Sequence, residues 1–339
     1  MLAHQHLRKG EYVDISGKSV LVIGGAGFIG SHVLGELLRT DVRTVIVYDN
    51  FSRGKRSNIR PYMGDPRCSV FQDGGDIRDI DVLNAAVSKA DAVIHLAAMW
   101  LLHCIEYPRT AFEVNIQGTF NVLEACVKHG VEKLIYSSSA SVYGDAVAVP
   151  MAEDHPFRNR NFYGATKIAG EAMCRAFHDR FNLNYVGLRY MNVYGPHQDQ
   201  QAAYTGVIPM MLNRIEANET PEINGDGSQA YDFITARDAA RCNVLALQSS
   251  AQDEFYNVGT GVQTSIRELC ETILRLTGSQ LPLRFRPYSD EDARRLVQNR
   301  IGSTEKASRE LGFFYEDSLD VGLQRLIEWR AQETVRANA

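Results

Sequence analysis

Hydrophobic positions along this chain fall into short unbroken runs separated by stretches with helical spacing. In the first run, Val20, Leu21, Val22 and Ile23 have no polar residue between them, as expected for a strand buried on both faces of a parallel sheet. The run breaks into glycines and reopens as a helix predicted from about Phe28 to Arg39. Further apolar runs at Thr44–Tyr48, Cys68–Gln72, Ala92–Ala97, Lys133–Ser138 and Tyr185–Arg189 alternate with helical patterns near Ile80–Lys89, Thr110–His129 and Tyr163–Phe181. Gly130 stands where a helix-ending glycine is expected. Strand and helix alternating from Val42 to about Val193 predict a doubly wound parallel sheet.

Beyond Tyr194-Gly195-Pro196 the alternation loosens and turn signals gather at Asn224-Gly225-Asp226-Gly227 and Gly259-Thr260-Gly261. Two helices remain legible there, Ser265–Leu276, with Ser265 and Glu268 forming a capping box, and Ser303–Leu311. The pattern divides the chain into an extension over 1–17, a dinucleotide-binding unit over 18–193 and a smaller α/β unit over 194–339 that shapes the substrate site. A segment at about 230–262 is expected to return to the first unit.

The glycines after the first strand satisfy two spacings. Gly25, Gly27 and Gly30 fit G-x-G-x-x-G; Gly24, Gly27 and Gly30 fit G-x-x-G-x-x-G. Either lets the backbone approach a diphosphate, which then sits at the N-terminus of the following helix, where Phe28 and Ile29 lie. The second strand ends in Asp49, close to the spacing at which a carboxylate takes the adenosine ribose hydroxyls. That favours NAD in a Rossmann-type fold. Arg53, Lys55 and Arg56 offer charge for the extra phosphate of NADP, which the Asp49 carboxylate would repel. Asp76, just past the third strand, is placed for the adenine end, although an acidic loop residue would look the same.

A net charge of −5 gives no reason to expect nucleic acid or an anionic membrane as partner. The six cysteines are scattered without a C-x-x-C, so they read as reduced thiols. His103-Cys104 reads as local packing rather than a metal site. No apolar run reaches the length of a membrane span, and the first residues lack the apolar core of a signal peptide, so a cytoplasmic protein is expected.

Tyr163 and Lys167 lie four apart and share one face of a helix. By spacing alone such a pair reads equally as a solvated face. As a catalytic pair, the ammonium and a positively charged nicotinamide would both favour the tyrosine phenolate. Ser137 to Ser141, at the end of the fifth strand, should face the same crevice as a cofactor. A serine there either hydrogen-bonds a substrate oxygen or caps the following turn.

The glycine loop, Tyr48-Asp49-Asn50-Phe51-Ser52, Gly75-Asp76-Ile77, His95-Leu96-Ala97-Ala98, Asn115-Ile-Gln-Gly-Thr119, Ser137-Ser-Ser-Ala-Ser-Val-Tyr-Gly144, Tyr163/Lys167 and Leu188-Arg-Tyr-Met-Asn-Val-Tyr-Gly195 together resemble the extended short-chain dehydrogenase/reductases of the nucleotide-sugar epimerase/dehydratase type. The pattern is that of UDP-glucose (UDP-galactose) 4-epimerases, and it covers nearly the whole chain. The resemblance implies NAD held by the glycine loop, Asp49, Asn50, Ser52, Asp76, Ile77, Leu96, Ala97, Ala98, Asn115, Tyr163 and Lys167. It implies Tyr163 as base, Ser139 as its hydroxyl partner, Lys167 on the nicotinamide ribose, and a nucleotide sugar, a UDP-sugar first, bordered by Trp100, Asn192, Val207, Gln229, Tyr231 and Arg294. It also implies a homodimer through the helices near Thr110–His129 and Tyr163–Phe181.

The implied reaction is transient oxidation of a sugar carbon, C4 first, followed by return of the hydride to the other face. Ala140 and Ser141 stand where 4,6-dehydratases carry an Asp-Glu pair, and Ser141 also departs from the glutamate of UDP-glucuronate decarboxylases. Tyr231 replaces a usual phosphate-binding arginine. Arg294, Arg295 and Arg300 either supply that charge or form a solvated helix face. Met99-Trp100-Leu101-Leu102-His103 is unusually bulky, which implies a sugar or nucleotide other than UDP-galactose. The alternatives are a nucleotide-sugar dehydrogenase or reductase, a C2 or uronic acid epimerase, and a non-catalytic NAD-binding regulator.

Overall fold

In a computed structural model, residues 12–72, 74–199, 206–289 and 297–338 are described, the side chains of 336–338 excepted. Seven parallel strands form the central sheet: β1 (Ser19–Ile23), β2 (Thr44–Tyr48), β3 (Cys68–Val70), β4 (Ala92–His95), β5 (Lys133–Ser139), β6 (Tyr185–Tyr190) and β11 (Glu254–Val258). Their order is β11-β6-β5-β4-β1-β2-β3. The direction of winding reverses between β1 and β4, so a crevice opens at the carboxyl ends of these two strands.

Helix α1 (Phe28–Leu37) packs against α9 (Ala236–Gln248) on one face of the sheet, where Val33, Leu34, Ala239 and Leu247 share a core cluster with Val22 and Val45. The other face is covered by α3 (Ile80–Val87), α6 (Thr119–Lys128) and α7 (Phe162–Phe181), whose Leu83, Leu123 and Phe177 pack with Leu21 and Val93. Residues facing both ways along β1 are buried, which explains its unbroken apolar run. Short helices α2 (Arg56–Ile59), α4 (Leu101–Glu106) and α5 (Pro108–Ala111) sit in the loops after β2 and β4.

The later residues build a smaller α/β layer. Its strands are β7 (Asn192–Tyr194), β8 (Glu222–Asn224), β9 (Ala230–Tyr231), β10 (Phe233–Thr235), β12 (Thr264–Ser265), β13 (Arg284–Arg286) and β14 (Asn299–Arg300). Helices α8 (Val207–Glu216) and α10 (Ile266–Thr277) and the C-terminal helix Leu319–Asn338 enclose a separate apolar cluster containing Leu212, Leu269 and Leu326. The capping box of Ser265 and Glu268 is present at α10. The helix read from Ser303 starts instead at Glu305.

One expected element is broken. The segment read as a single helix from Thr110 to His129 is α5, a wide π-helical stretch Phe112–Gly118, and α6. The widened turn directs Asn115 inward, where its side chain is only 2% exposed and bonds the backbone of Met99. Of the extension read over 1–17, residues 1–11 lie outside the described residues. Tyr12 and Val13 lie against Gln248 and Ser249 at the end of α9.

Candidate active site

Strand β5 ends at Ser139, and α7 begins beside it. Asn161 caps α7 by accepting the Gly164 N–H at 2.8 Å, which places Tyr163 in the first turn and Lys167 one turn later. The Lys167 ammonium donates to the Ser137 carbonyl at 2.7 Å and lies 5.7 Å from the centre of the Tyr163 ring. The three serines divide their tasks. Ser137 Oγ pairs with the Tyr190 hydroxyl, Ser138 Oγ donates to Glu171, and Ser139 hydrogen-bonds Tyr163. Ser139 Oγ also accepts the Ser141 N–H at 3.1 Å, which caps the following turn.

Electrostatics here differ from the expectation for a Tyr-Lys pair. Burial pushes Tyr163 up to about 12, opposed by the Ser139 hydrogen bond, and pushes Lys167 down to about 8. Desolvation outweighs an ammonium 5.7 Å from the ring centre. The protein alone therefore holds a neutral phenol at neutral pH.

A cavity of about 690 Å³ runs along the carboxyl ends of the strands, from Asp76 after β3 to Tyr163 and Lys167 beyond β5. Its wall includes Gly24, Gly27, Phe28, Ile29, Gly30, Asp49, Asn50, Ser52, Asp76, Ile77, Leu96, Ala97, Ala98, Trp100, Ser139, Tyr163 and Lys167. Of the two glycine spacings, the one with Gly24 borders the cavity and Gly25 does not. Gly24 has φ +83°, and a Cβ on it would meet Ala97 N at 2.8 Å; a Cβ on Gly30 would meet the Gly24 carbonyl at 2.2 Å. Such a cradle requires bare backbone and suits a diphosphate.

The Asp49 carboxylate closes the loop by accepting the Ala26 and Phe51 N–H groups at 2.9 and 2.8 Å. Burial raises its pKa, and these backbone bonds oppose the rise. Arg56 stacks on Phe51, Arg53 lies over Trp100, and the Lys55 backbone is tied to Ala26. Cradle and carboxylate fit a dinucleotide without a 2′-phosphate.

Several expected residues are not on this wall. Asn115 is sealed in, its amide shared between Met99 and Thr166, so it holds the loop after β4 rather than facing the cavity. Asn192 donates to the Asp232 carbonyl, Val207 opens α8, buried Gln229 donates to the Asn224 carbonyl, and Tyr231 donates to Val297. Arg294 and Arg295 lie outside the described residues. Arg300 is no solvated helix face: it is on β14 directly beside Tyr231, with Nε shut from solvent and unpartnered among the described residues. His103, from the bulky stretch after the fourth strand, lines the cavity, as do His197 and Asp199, which sequence reasoning missed. His197 sits at φ +70° just after the Gly195-Pro196 turn, bonds Ser31 Oγ at 2.8 Å through Nδ1, and is pushed down to about 4 by burial and by neighbouring His32. That Gly-Pro turn was the available signal.

Fold and site together define a dinucleotide-binding protein with a Ser-Tyr-Lys constellation at the end of its cofactor crevice. The chain belongs to the NAD dependent epimerase/dehydratase family, whose sequence model matches residues 20–259, and its cofactor is NAD. The UDP-glucose 4-epimerase of Mycolicibacterium smegmatis is 32% identical over 312 residues, covering 91% of this chain and 97% of that one. Among solved structures, the UDP-N-acetylglucosamine 4-epimerase of Methanobrevibacter ruminantium, in complex with UDP-N-acetylmuramic acid, has a TM-score of 0.87 at 30% identity, covering 94% of this chain and 99% of its own. The UDP-glucose 4-epimerase of Thermotoga maritima with UDP-glucose has a TM-score of 0.85 at 32% identity, covering 93% and 99%. No helix among the described residues is long and apolar enough to cross a membrane.

Proposed function

We propose that this protein interconverts nucleotide-activated sugars differing in configuration at C4, with a UDP-sugar as substrate. The observation that carries this reading is the convergence of Ser139, Tyr163 and Lys167 at the end of the crevice away from Asp76. Of the three relatives compared, two are named UDP-glucose 4-epimerases and one a UDP-N-acetylglucosamine 4-epimerase, which supports the nucleotide and the carbon more than the sugar.

In this mechanism Tyr163 takes the proton of the C4 hydroxyl and Ser139 steadies the oxygen as it becomes a ketone. NAD, when bound, would supply reversible hydride acceptance at that carbon. Lys167, anchored on the Ser137 carbonyl, would hold the nicotinamide ribose and keep a positive charge beside the phenol. Lowering Tyr163 from about 12 to near neutrality takes roughly 6–7 kcal/mol of differential stabilisation, at about 1.4 kcal/mol per pKa unit. In a buried site a nicotinamide cation next to Lys167 is the available source. The Asp-Glu pair of dehydratases has no counterpart: Ala140 and Ser141 form a buried turn.

Tyr163→Phe tests this assignment. Turnover should fall at least about a hundredfold while NAD binding is kept, as for loss of an acid/base group. Unchanged turnover would remove Tyr163 from the chemistry, and a native protein that binds NAD yet turns over no nucleotide sugar would favour a regulator. The same reading includes a homodimer through α6 and α7, whose Phe120 and Phe181 are 44% and 51% exposed beside a groove also lined by Phe177 and Val127.

A further inference from the structure

We propose that Arg53 is the anion clamp for the cofactor's diphosphate, held flat by Trp100 and released to the ligand by Asp199. The inference rests on NAD as cofactor and not on the C4 reading.

A glycine cradle offers backbone N–H groups but no full positive charge, while a dinucleotide diphosphate carries two negative charges. Among the described residues of the cavity wall, the arginine and lysine side chains are those of Arg53, Arg78 and Lys167. Arg78 is consumed by Asp76, which accepts from its Nε at 3.0 Å and its Nη2 at 2.6 Å, at the adenine end. Lys167 is held at the opposite end by the Ser137 carbonyl. Arg53 is the loosely committed one: its Nη2 stands 3.4 Å from Asp199, with both side chains more than a third exposed at 39% and 37%. So exposed and stretched a pair holds weakly.

Its location is fixed on both sides by the glycine loop. The Lys55 N–H donates to the Ala26 carbonyl, and a Cβ on Gly54 would lie 2.9 Å from Ala26 Cβ, so the residues following Arg53 are pressed onto that loop. Trp100 leaves β4 just after Ala97, which itself touches Gly24. The guanidinium lies over the Trp100 ring, 4.8 Å from its centre, a cation–π contact that holds the side chain in place. The Asp199 carboxylate thus occupies the anion partner's place, and a diphosphate displaces it without any new cation being recruited.

The test is calorimetric titration of nucleotide-free protein with two probes, ADP-ribose, which carries the diphosphate, and adenosine, which does not. Arg53→Ala should weaken ADP-ribose at least about tenfold and flatten its salt dependence, with adenosine changed less than about twofold. Arg53→Lys should recover part of the loss, because the charge returns without the fork. Asp199→Asn should leave ADP-ribose binding as tight as native or tighter. Equal losses for both probes would show that Arg53 only shapes the adenosine loop and would overturn the proposal. So would an unchanged ADP-ribose affinity, or Asp199→Asn behaving like Arg53→Ala. Arg53 is more than a third exposed, so folding should survive, as a melting curve checks; were Arg53→Ala to misfold, Arg53→Lys and the native salt dependence decide by the same criteria.

Discussion

Tyr163 and Lys167 show how far a side chain's chemistry can be read from spacing. The four-residue interval put both on one face, and they do face one cavity, but spacing carries no information about desolvation. Burial leaves the tyrosine a phenol, raised to about 12, and the lysine depressed to about 8. The signs set a pH profile. A group that must lose its proton gives activity rising with pH on the acid side, at a pKa that bound NAD pulls down from the unliganded value. Lys167 keeps its charge only below about 8, so activity falls as pH rises through that value. Turnover should therefore trace a bell, and Lys167→Arg, which stays charged, should move the alkaline limb upward. A rate flat across this range would remove both residues from the proton chemistry. Tyr231 and Arg300 make the complementary case: six described strands and helices lie between them in the chain, yet β9 and β14 lie side by side.

Elements were legible where one pattern ruled a whole segment. β1, β2 and α7 start and stop within a residue of their expected bounds because apolar runs and caps coincide there. The segment read as one helix from Thr110 to His129 was misread as to its form because its apolar spacing carries no mark of the wider winding at Phe112–Gly118, where Asn115 turns inward to the backbone of Met99. Helix α7 is also pinned by contacts that no local pattern announces. Arg189 of β6 meets Glu171 of α7 through two bonds of 2.9 and 2.7 Å, with both side chains at most 3% exposed, and Glu171 also accepts from Ser138. This network ties the helix of Tyr163 to the strand of Ser139. Glu171→Ala leaves a buried guanidinium without its carboxylate and should cost about 3–5 kcal/mol in denaturant unfolding. A loss below about 1 kcal/mol would mean that water reaches Arg189 in the variant.

At the scale of the molecule, alternating strands and helices were enough to specify the doubly wound sheet, because parallel strands buried on both faces leave a plain apolar signature. The smaller layer was legible only in part, since strands as short as β9, β12 and β14 are held by pairing across the chain rather than by their own pattern. The cavity follows from topology: the reversal between β1 and β4 brings the glycine loop, Asp49, Ala97 and Ser139 to one end of the sheet. The exposed phenylalanines of α6 and α7 belong to this scale as well. Phe120→Glu should convert a dimer to a monomer by light scattering at micromolar concentration, because a charge would be buried against an apolar partner face; a native monomer would end that reading.

The central claim, hydride removal and return at C4, is tested most directly by following UDP-glucose and UDP-N-acetylglucosamine with the NAD-loaded protein in deuterated water by NMR. The C4 epimer of at least one of them should accumulate to equilibrium, with hydrogen retained at C4 and no net NADH. Deuterium entering C4, steady release of NADH, or silence toward both sugars with NAD bound would contradict it.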